Sequence, residues 1–203
     1  AALPAVRAVV FRGAGGKTFS SGFTIGAILE RLDRSFEDLL DAVEQFPLPT
    51  IAVLNGGVYG GATDLALCCD WRIGVPGTRM FMPAARFGLH YYPGGLRRAV
   101  AAVGLAQAKR IYLTGVTLRA EEMLRIGFLT ELVARGRLEP TLCELLAAIE
   151  QCAPAVVQSM KRQLNAIAAS DSAAAHSRTA YEASLGSAEL KRRLAALGRK
   201  RAR

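Results

Sequence analysis

The stretch Asn55-Gly56-Gly57-Val58-Tyr59-Gly60-Gly61-Ala62-Thr63-Asp64-Leu65-Ala66-Leu67 decides how this chain folds. It follows a β-branched apolar run at residues 50–54, so it reads as a strand, a glycine turn and an apolar helix over 61–69. The same order occurs upstream, where an apolar run at 6–11 leads into Arg12-Gly13-Ala14-Gly15-Gly16-Lys17-Thr18-Phe19-Ser20-Ser21-Gly22-Phe23. Glycine lets a backbone approach a ligand closely and leaves N–H groups free to point at it. Two such turns side by side can hold one oxyanion between two backbone N–H donors.

Outward from these turns, the first half alternates strand and helix. Residues 36–45 carry Phe36, Leu39, Leu40 and Val43 at helical spacing and stop before Pro47, while 71–75 and 79–82 read as short strands around Pro76-Gly77. That order predicts a layered α/β core. The second half reads as helices over 93–103, 106–113, 119–126, 138–151, 154–168, 173–185 and 188–197, with Gly127 as a C-cap and Pro154 at a first helical position.

The bulk numbers narrow the class. A chain of 203 residues with 51% hydrophobic content suits one domain with a sizeable core plus a helical appendage. Its apolar runs break well before the roughly 18 residues a membrane span needs, so no span is expected. Cys68, Cys69, Cys143 and Cys152 form no CxxC pair and only two histidines accompany them. No metal site is therefore expected, and buried thiols in a reducing, cytoplasmic compartment are. The net charge of +9 is concentrated in Lys191-Arg192-Arg193 and Arg199-Lys200-Arg201-Ala202-Arg203. It suits a polyanion or phosphate-rich ligand, or simply a solvated helix face and tail. That basic segment contains no aromatic residue for base stacking, which ranks nucleic acid last among the partners.

These segments, in this order, resemble the crotonase superfamily, that is, the enoyl-CoA hydratase/isomerase family. The resemblance rests on Pro49-Thr50-Ile51-Ala52-Val53-Leu54-Asn55-Gly56, on the run from Gly60 through Asp64 to Asp70, and on Phe19-Ser20-Ser21-Gly22-Phe23. Phe87-Gly88-Leu89, Leu113-Thr114-Gly115 and Ala120-Glu121-Glu122-Met123 follow in the expected order. It implies an α/β fold, a crotonase-like spiral of ββα units over 1–135, with a C-terminal helical trimerisation region over 136–203. It also implies a homotrimer or hexamer and an acyl-CoA thioester substrate that brings its own coenzyme A, so that no cofactor is permanently bound. The oxyanion donors implied are the N–H groups of Phe23 and Gly61. Lys17, Ser21, Gly22, Phe23, Ile25 and Gly60 are the implied binding residues, although Lys17 reads first as a surface lysine.

The chain departs from that pattern where proton transfer is at stake. Family hydratases use two glutamates to handle water. At the first position, three residues after the oxyanion glycine, this chain has Asp64, one methylene shorter. At the second, after a proline, Met82-Pro83-Ala84 supplies Ala84, which transfers no proton. Asp64 reads either as the main acid/base or as a buried carboxylate accepting backbone or arginine hydrogen bonds. His90 and Tyr91, followed by Tyr92, read either as substitute acid/base groups or as a packed tyrosine pair with His90 capping the next helix. The chain also opens at Ala1-Ala2-Leu3-Pro4, almost on the first strand, so the first spiral turn is expected to be missing or not included. The implied function is an acyl-CoA-processing enzyme of the hydratase/isomerase type with Asp64 as acid/base, for which isomerisation is chemically easier than hydration. The alternatives are a catalytically degenerate CoA-binding or assembly subunit and an RNA-binding relative.

Overall fold

The computed structural model describes residues 6–24, 28, 32–170, 177–179, 182–183 and 187–192. The helices expected over 173–185 and 188–197 lie largely outside them. Three strand pairs open the chain: β1 (Val9–Arg12) with β2 (Thr18–Ser20), β3 (Thr50–Leu54) with β4 (Gly57–Tyr59), and β5 (Trp71–Gly74) with β6 (Arg79–Phe81). The first strand of each pair joins one sheet, ordered β1-β3-β5-β8, and the second joins another, ordered β2-β4-β6-β7. β7 is Leu118–Arg119 and β8 is Glu131–Leu132. All pairings are parallel except β6 with β7. The chain therefore winds as a spiral of strand pairs, each turn adding one rung to both sheets.

Helices close the turns. α1 (Arg34–Glu44) starts where the Asp33 carboxylate accepts the Ser35 N–H at 2.8 Å, a side-chain N-cap. α2 (Gly61–Cys68) follows β4, and α3 (Pro93–Thr114) begins with a proline in its first turn. The two helices expected over 93–103 and 106–113 are both present within α3, separated by a kink where Gly104 has non-helical backbone (φ 75°). α4 (Ala120–Arg125), α5 (Leu138–Gln151) and α6 (Pro154–Ala168) complete the described helices.

β3 organises the core because a strand sends alternate side chains to opposite faces. Ile51 and Val53 face a cluster with Ile73, Leu138, Leu142 and Ile149, which docks α5. Ala52 and Leu54 face the larger cluster with Val58, Met80, Leu118, Met123 and Phe128. α6 is pinned to the same strand by charge: Lys161 Nζ lies 2.7 Å from Asp70 Oδ2 and donates to the Leu48 carbonyl at 3.0 Å. Asp70 Oδ2 also accepts the Thr50 N–H at 2.7 Å. No single helix among the described residues is long and apolar enough to cross a membrane.

Candidate active site

The two glycine turns meet. Gly22 has φ +82°, and a Cβ placed on it would lie 2.4 Å from the Tyr59 carbonyl oxygen and 3.1 Å from the Gly61 nitrogen. The backbone leading to Phe23 thus rests directly on the turn that opens α2, an approach only glycine allows. Gly60 (φ +54°) turns the chain, donating its N–H to the Phe81 carbonyl at 3.0 Å. Gly61 is the first residue of α2, where the N–H has no intrahelical partner. Among the described residues, no acceptor takes the N–H of Phe23 or of Gly61.

α1 roofs these turns. A Cβ on Gly61 would meet Phe36 Cζ at 2.7 Å, and the Phe36 ring makes edge contacts with Phe23 at 5.9 Å and Tyr92 at 6.1 Å between centroids. Below the roof lies a cavity of about 380 Å³. Its lining is mostly apolar, with Phe23, Phe36, Phe81, Met82, Leu89 and Tyr91 among it. Ser21, Gly60, Gly61, Ala84 and Tyr92 also line it, as do Asp33, Glu37 and His90.

Asp64 is fully buried and is not among the residues lining this cavity. Its Oδ1 accepts Arg98 Nε at 2.8 Å, and its Oδ2 accepts a second Arg98 nitrogen at 3.2 Å, the Tyr91 hydroxyl at 3.2 Å and the Tyr92 hydroxyl. Three donors crowd Oδ2, while Oδ1 takes one. Arg98 is itself buried and serves Asp41 at 2.8 Å, Glu44 at 2.9 Å and the Tyr92 oxygen at 2.7 Å. Gly95 makes room for the arrangement, since a Cβ there would sit 2.2 Å from the Tyr91 ring and 2.6 Å from Asp64 Oδ2.

The electrostatics follow from this burial. Desolvation, reinforced by the Asp64 carboxylate, pushes the Tyr91 and Tyr92 phenols upward and keeps them protonated hydrogen-bond donors. Burial alone would lower the Arg98 guanidinium, but its bonds to Asp64 outweigh that and hold it raised and charged.

The expected site residues distribute as follows. Phe23, Gly60, Gly61, Ser21, Tyr91 and His90 surround one cavity, and Gly22 supports it from behind. Lys17 is exposed in the β1–β2 loop and is not on the cavity wall; its carbonyl accepts the Gly57 N–H at 3.0 Å. Ile25 lies outside the described residues. His90 is exposed and does not cap α3, whose N-cap is Tyr92 with no side-chain cap bond. Of the two readings of Asp64, the arginine-bonded carboxylate is the geometry observed. Sequence reasoning missed Arg98, Tyr92 as a ligand of Asp64, and Glu37. Charged residues at 37, 41 and 44 on one helix were the available signal.

The comparisons with known proteins agree with this architecture. Residues 3–192 match the model of the enoyl-CoA hydratase/isomerase family. The short-chain-enoyl-CoA hydratase of Clostridium acetobutylicum is 33% identical over 167 residues, covering 79% of this chain and 64% of that protein. The crotonyl-CoA hydratase of Syntrophomonas wolfei is 30% identical over 154 residues, covering 72% and 59%. This chain thus spans less than two thirds of the length of these relatives. Among solved structures, Pseudomonas aeruginosa DspI superposes with a TM-score of 0.87 at 26% identity, over 96% of this chain and 78% of that one. An enoyl-CoA hydratase from Bacillus anthracis gives 0.83 at 24% identity, over 96% and 79%. With two small sheets wound as one spiral and a family match over almost its whole length, this chain belongs to the enoyl-CoA hydratase/isomerase (crotonase) family.

Proposed function

We propose that this chain processes acyl-CoA thioesters by stabilising a thioester enolate, in the manner of a hydratase/isomerase. The observation that carries the reading is that Phe23 and Gly61, whose N–H groups have no acceptor among the described residues, line one apolar cavity. A thioester oxygen held there gains negative charge on enolisation and binds its donors more strongly than the neutral carbonyl does. The α2 N-terminus adds the positive end of a helix dipole. The enoyl-CoA hydratase relatives support the substrate class.

In this reading Asp64 does not meet the substrate. It orients Tyr91 and Tyr92 and neutralises Arg98, so the acid/base role expected from the sequence becomes a positioning role. Isomerisation is favoured over hydration, because moving one proton between two carbons needs one group, whereas delivering water needs two, and Ala84 leaves one of those positions apolar.

A homotrimer fits the same reading. Val156, Met160, Leu164 and Ile167 are exposed on α6 at spacings that put them on one narrow helix face. Light scattering of the purified chain tests this.

Calorimetric titration with acetoacetyl-CoA beside free CoA tests the central claim. Tighter binding of the thioester is expected. Equal binding of the two would remove the oxyanion site from the account. Tight thioester binding with no turnover of any enoyl-CoA would favour the degenerate CoA-binding subunit, a reading that Ala84 and the sequestered Asp64 support.

A further inference from the structure

The proposed chemistry needs a group that takes a proton from the substrate, and neither position at which family hydratases carry a glutamate supplies one at the cavity; His90 borders it but is exposed, and Tyr91 is held by Asp64. Ala84 carries only a methyl group there, and Asp64 lies behind the tyrosines with its oxygens engaged. A carboxylate reaches the cavity from a different element. Glu37 stands in the first turn of α1, directly after Phe36, whose ring covers Gly61 and touches Phe23. Glu37 lines the cavity and is half-buried. Among the described residues it has no hydrogen-bond or ion-pair partner. Asp33, the other carboxylate on that wall, is committed to the Ser35 N–H and hydroxyl at 2.8 and 2.5 Å.

We propose that Glu37 is the catalytic base of this site, transferring the proton α to the thioester. The inference rests on the thioester reading above. The Cα–H bond breaks and its proton passes to a Glu37 carboxylate oxygen. The electron pair moves into the thioester to form the enolate, whose oxygen is held by the Phe23 and Gly61 N–H groups. The Glu37 carboxyl trades its proton with solvent and then protonates Cα, giving exchange, or it delivers the proton to Cγ of a 3-enoyl chain, giving the shifted double bond. No oxidant, reductant or second substrate is required. The acid/base function has thus moved from the helix after the oxyanion turn to the helix that roofs it.

The test measures exchange of the α-hydrogens of butyryl-CoA in D2O by mass spectrometry, beside the calorimetric Kd for acetoacetyl-CoA. Glu37→Gln preserves shape and removes the base. Exchange is expected to fall about a hundredfold or more while Kd stays within about threefold of the unsubstituted protein. A mere helix-dipole role for Glu37 would leave the exchange rate per bound thioester unchanged. Exchange by Glu37→Gln within about threefold of the unsubstituted protein would overturn the assignment. So would an unsubstituted protein that binds the thioester tightly and exchanges nothing, which leaves the binding reading standing. If acetoacetyl-CoA binds no better than free CoA, the thioester reading fails first and the Glu37 assignment falls with it.

Discussion

Arg98 and Asp64 form a buried ion pair, Nε to Oδ1 at 2.8 Å, with side chains 2% and 0% exposed. It joins α3 to α2 directly behind the tyrosines of the cavity wall. Asp41 and Glu44 on α1 bind the same guanidinium, so three helices converge on one cation. Removing one partner of such a pair leaves the other charge poorly compensated in a medium that solvates it badly. Asp64→Asn keeps the shape and deletes the charge, and is expected to lower unfolding free energy by about 3–5 kcal/mol. Urea denaturation measures this as a lower midpoint at unchanged slope. A variant as stable as the parent would show that the pair contributes nothing net.

The residues that build this network explain what the sequence could and could not disclose. β3, α5 and α6 were readable to the residue because each combines a clear period with a boundary signal, such as Pro154 at the start of α6. β2, β4, β7 and β8 were not, because two or three residues cannot display an alternation and their pairing is set by partners far along the chain. The gap expected between the helices ending at 103 and starting at 106 contains Gly104, where the backbone leaves the helix. In the site, the two glycine turns were legible because close backbone approach leaves glycines in the sequence. The link from residue 64 to residue 98, and the placement of Glu37 on the cavity lining, leave no such trace. They depend on how α1, α2 and α3 pack, and a charged residue on an amphipathic helix reads first as solvent-facing.

Gly22 offers a test of the turn contact that is separate from charge. A methyl group there must occupy space 2.4 Å from the Tyr59 carbonyl oxygen, at a φ of +82° that L-residues rarely adopt. Backbone lies on both sides, so no side chain can rotate away. Gly22→Ala is expected to separate the Phe23 and Gly61 donors and bring acetoacetyl-CoA affinity down to that of free CoA. Turnover of any substrate found should fall about 10²- to 10³-fold, the usual effect of losing one oxyanion donor. Thioester affinity equal to the parent's would mean that the two turns act independently.

The buried thiols predict a fall in stability at alkaline pH. Cys68 and Cys69 lie at the end of α2, and burial pushes the Cys69 thiol up to about 12 and Cys68 further still, from an ordinary value of 9.0. The folded protein therefore keeps protons that the unfolded chain releases. The thiols' contribution is constant below about pH 9, the unfolded thiol's value, and declines above it until the folded thiols ionise. Each thiol steepens the decline by up to about 1.4 kcal/mol per pH unit. Tyr91, Tyr92 and Tyr112, raised mainly by burial, act in the same direction from the ordinary phenol value of 10.0. Urea unfolding at a series of pH values should show the decline starting earlier in the parent than in a Cys68→Ala/Cys69→Ala variant. Identical curves would assign the whole effect to the tyrosines.

Ala84 is the position at which gained function tests the chemistry. It is 5% exposed, lines the cavity, and begins the 3-10 turn Ala84–Phe87 just after Pro83. A glutamate side chain introduced there adds a cavity carboxylate to Glu37 and the Ser35-bonded Asp33. Hydration needs one group to activate water and one to deliver its proton, so Ala84→Glu is expected to raise hydration of a short 2-enoyl-CoA by about tenfold or more over the parent. The double variant Ala84→Glu/Glu37→Gln should lose that gain, because each carboxylate supplies half of the proton traffic. The measurement is the rate of 3-hydroxyacyl-CoA formation, followed chromatographically. A gain that survives the loss of Glu37 would show that the introduced carboxylate acts alone or with His90. No gain in a variant that still binds acetoacetyl-CoA would show that the wall at residue 84 does not face the reacting carbons.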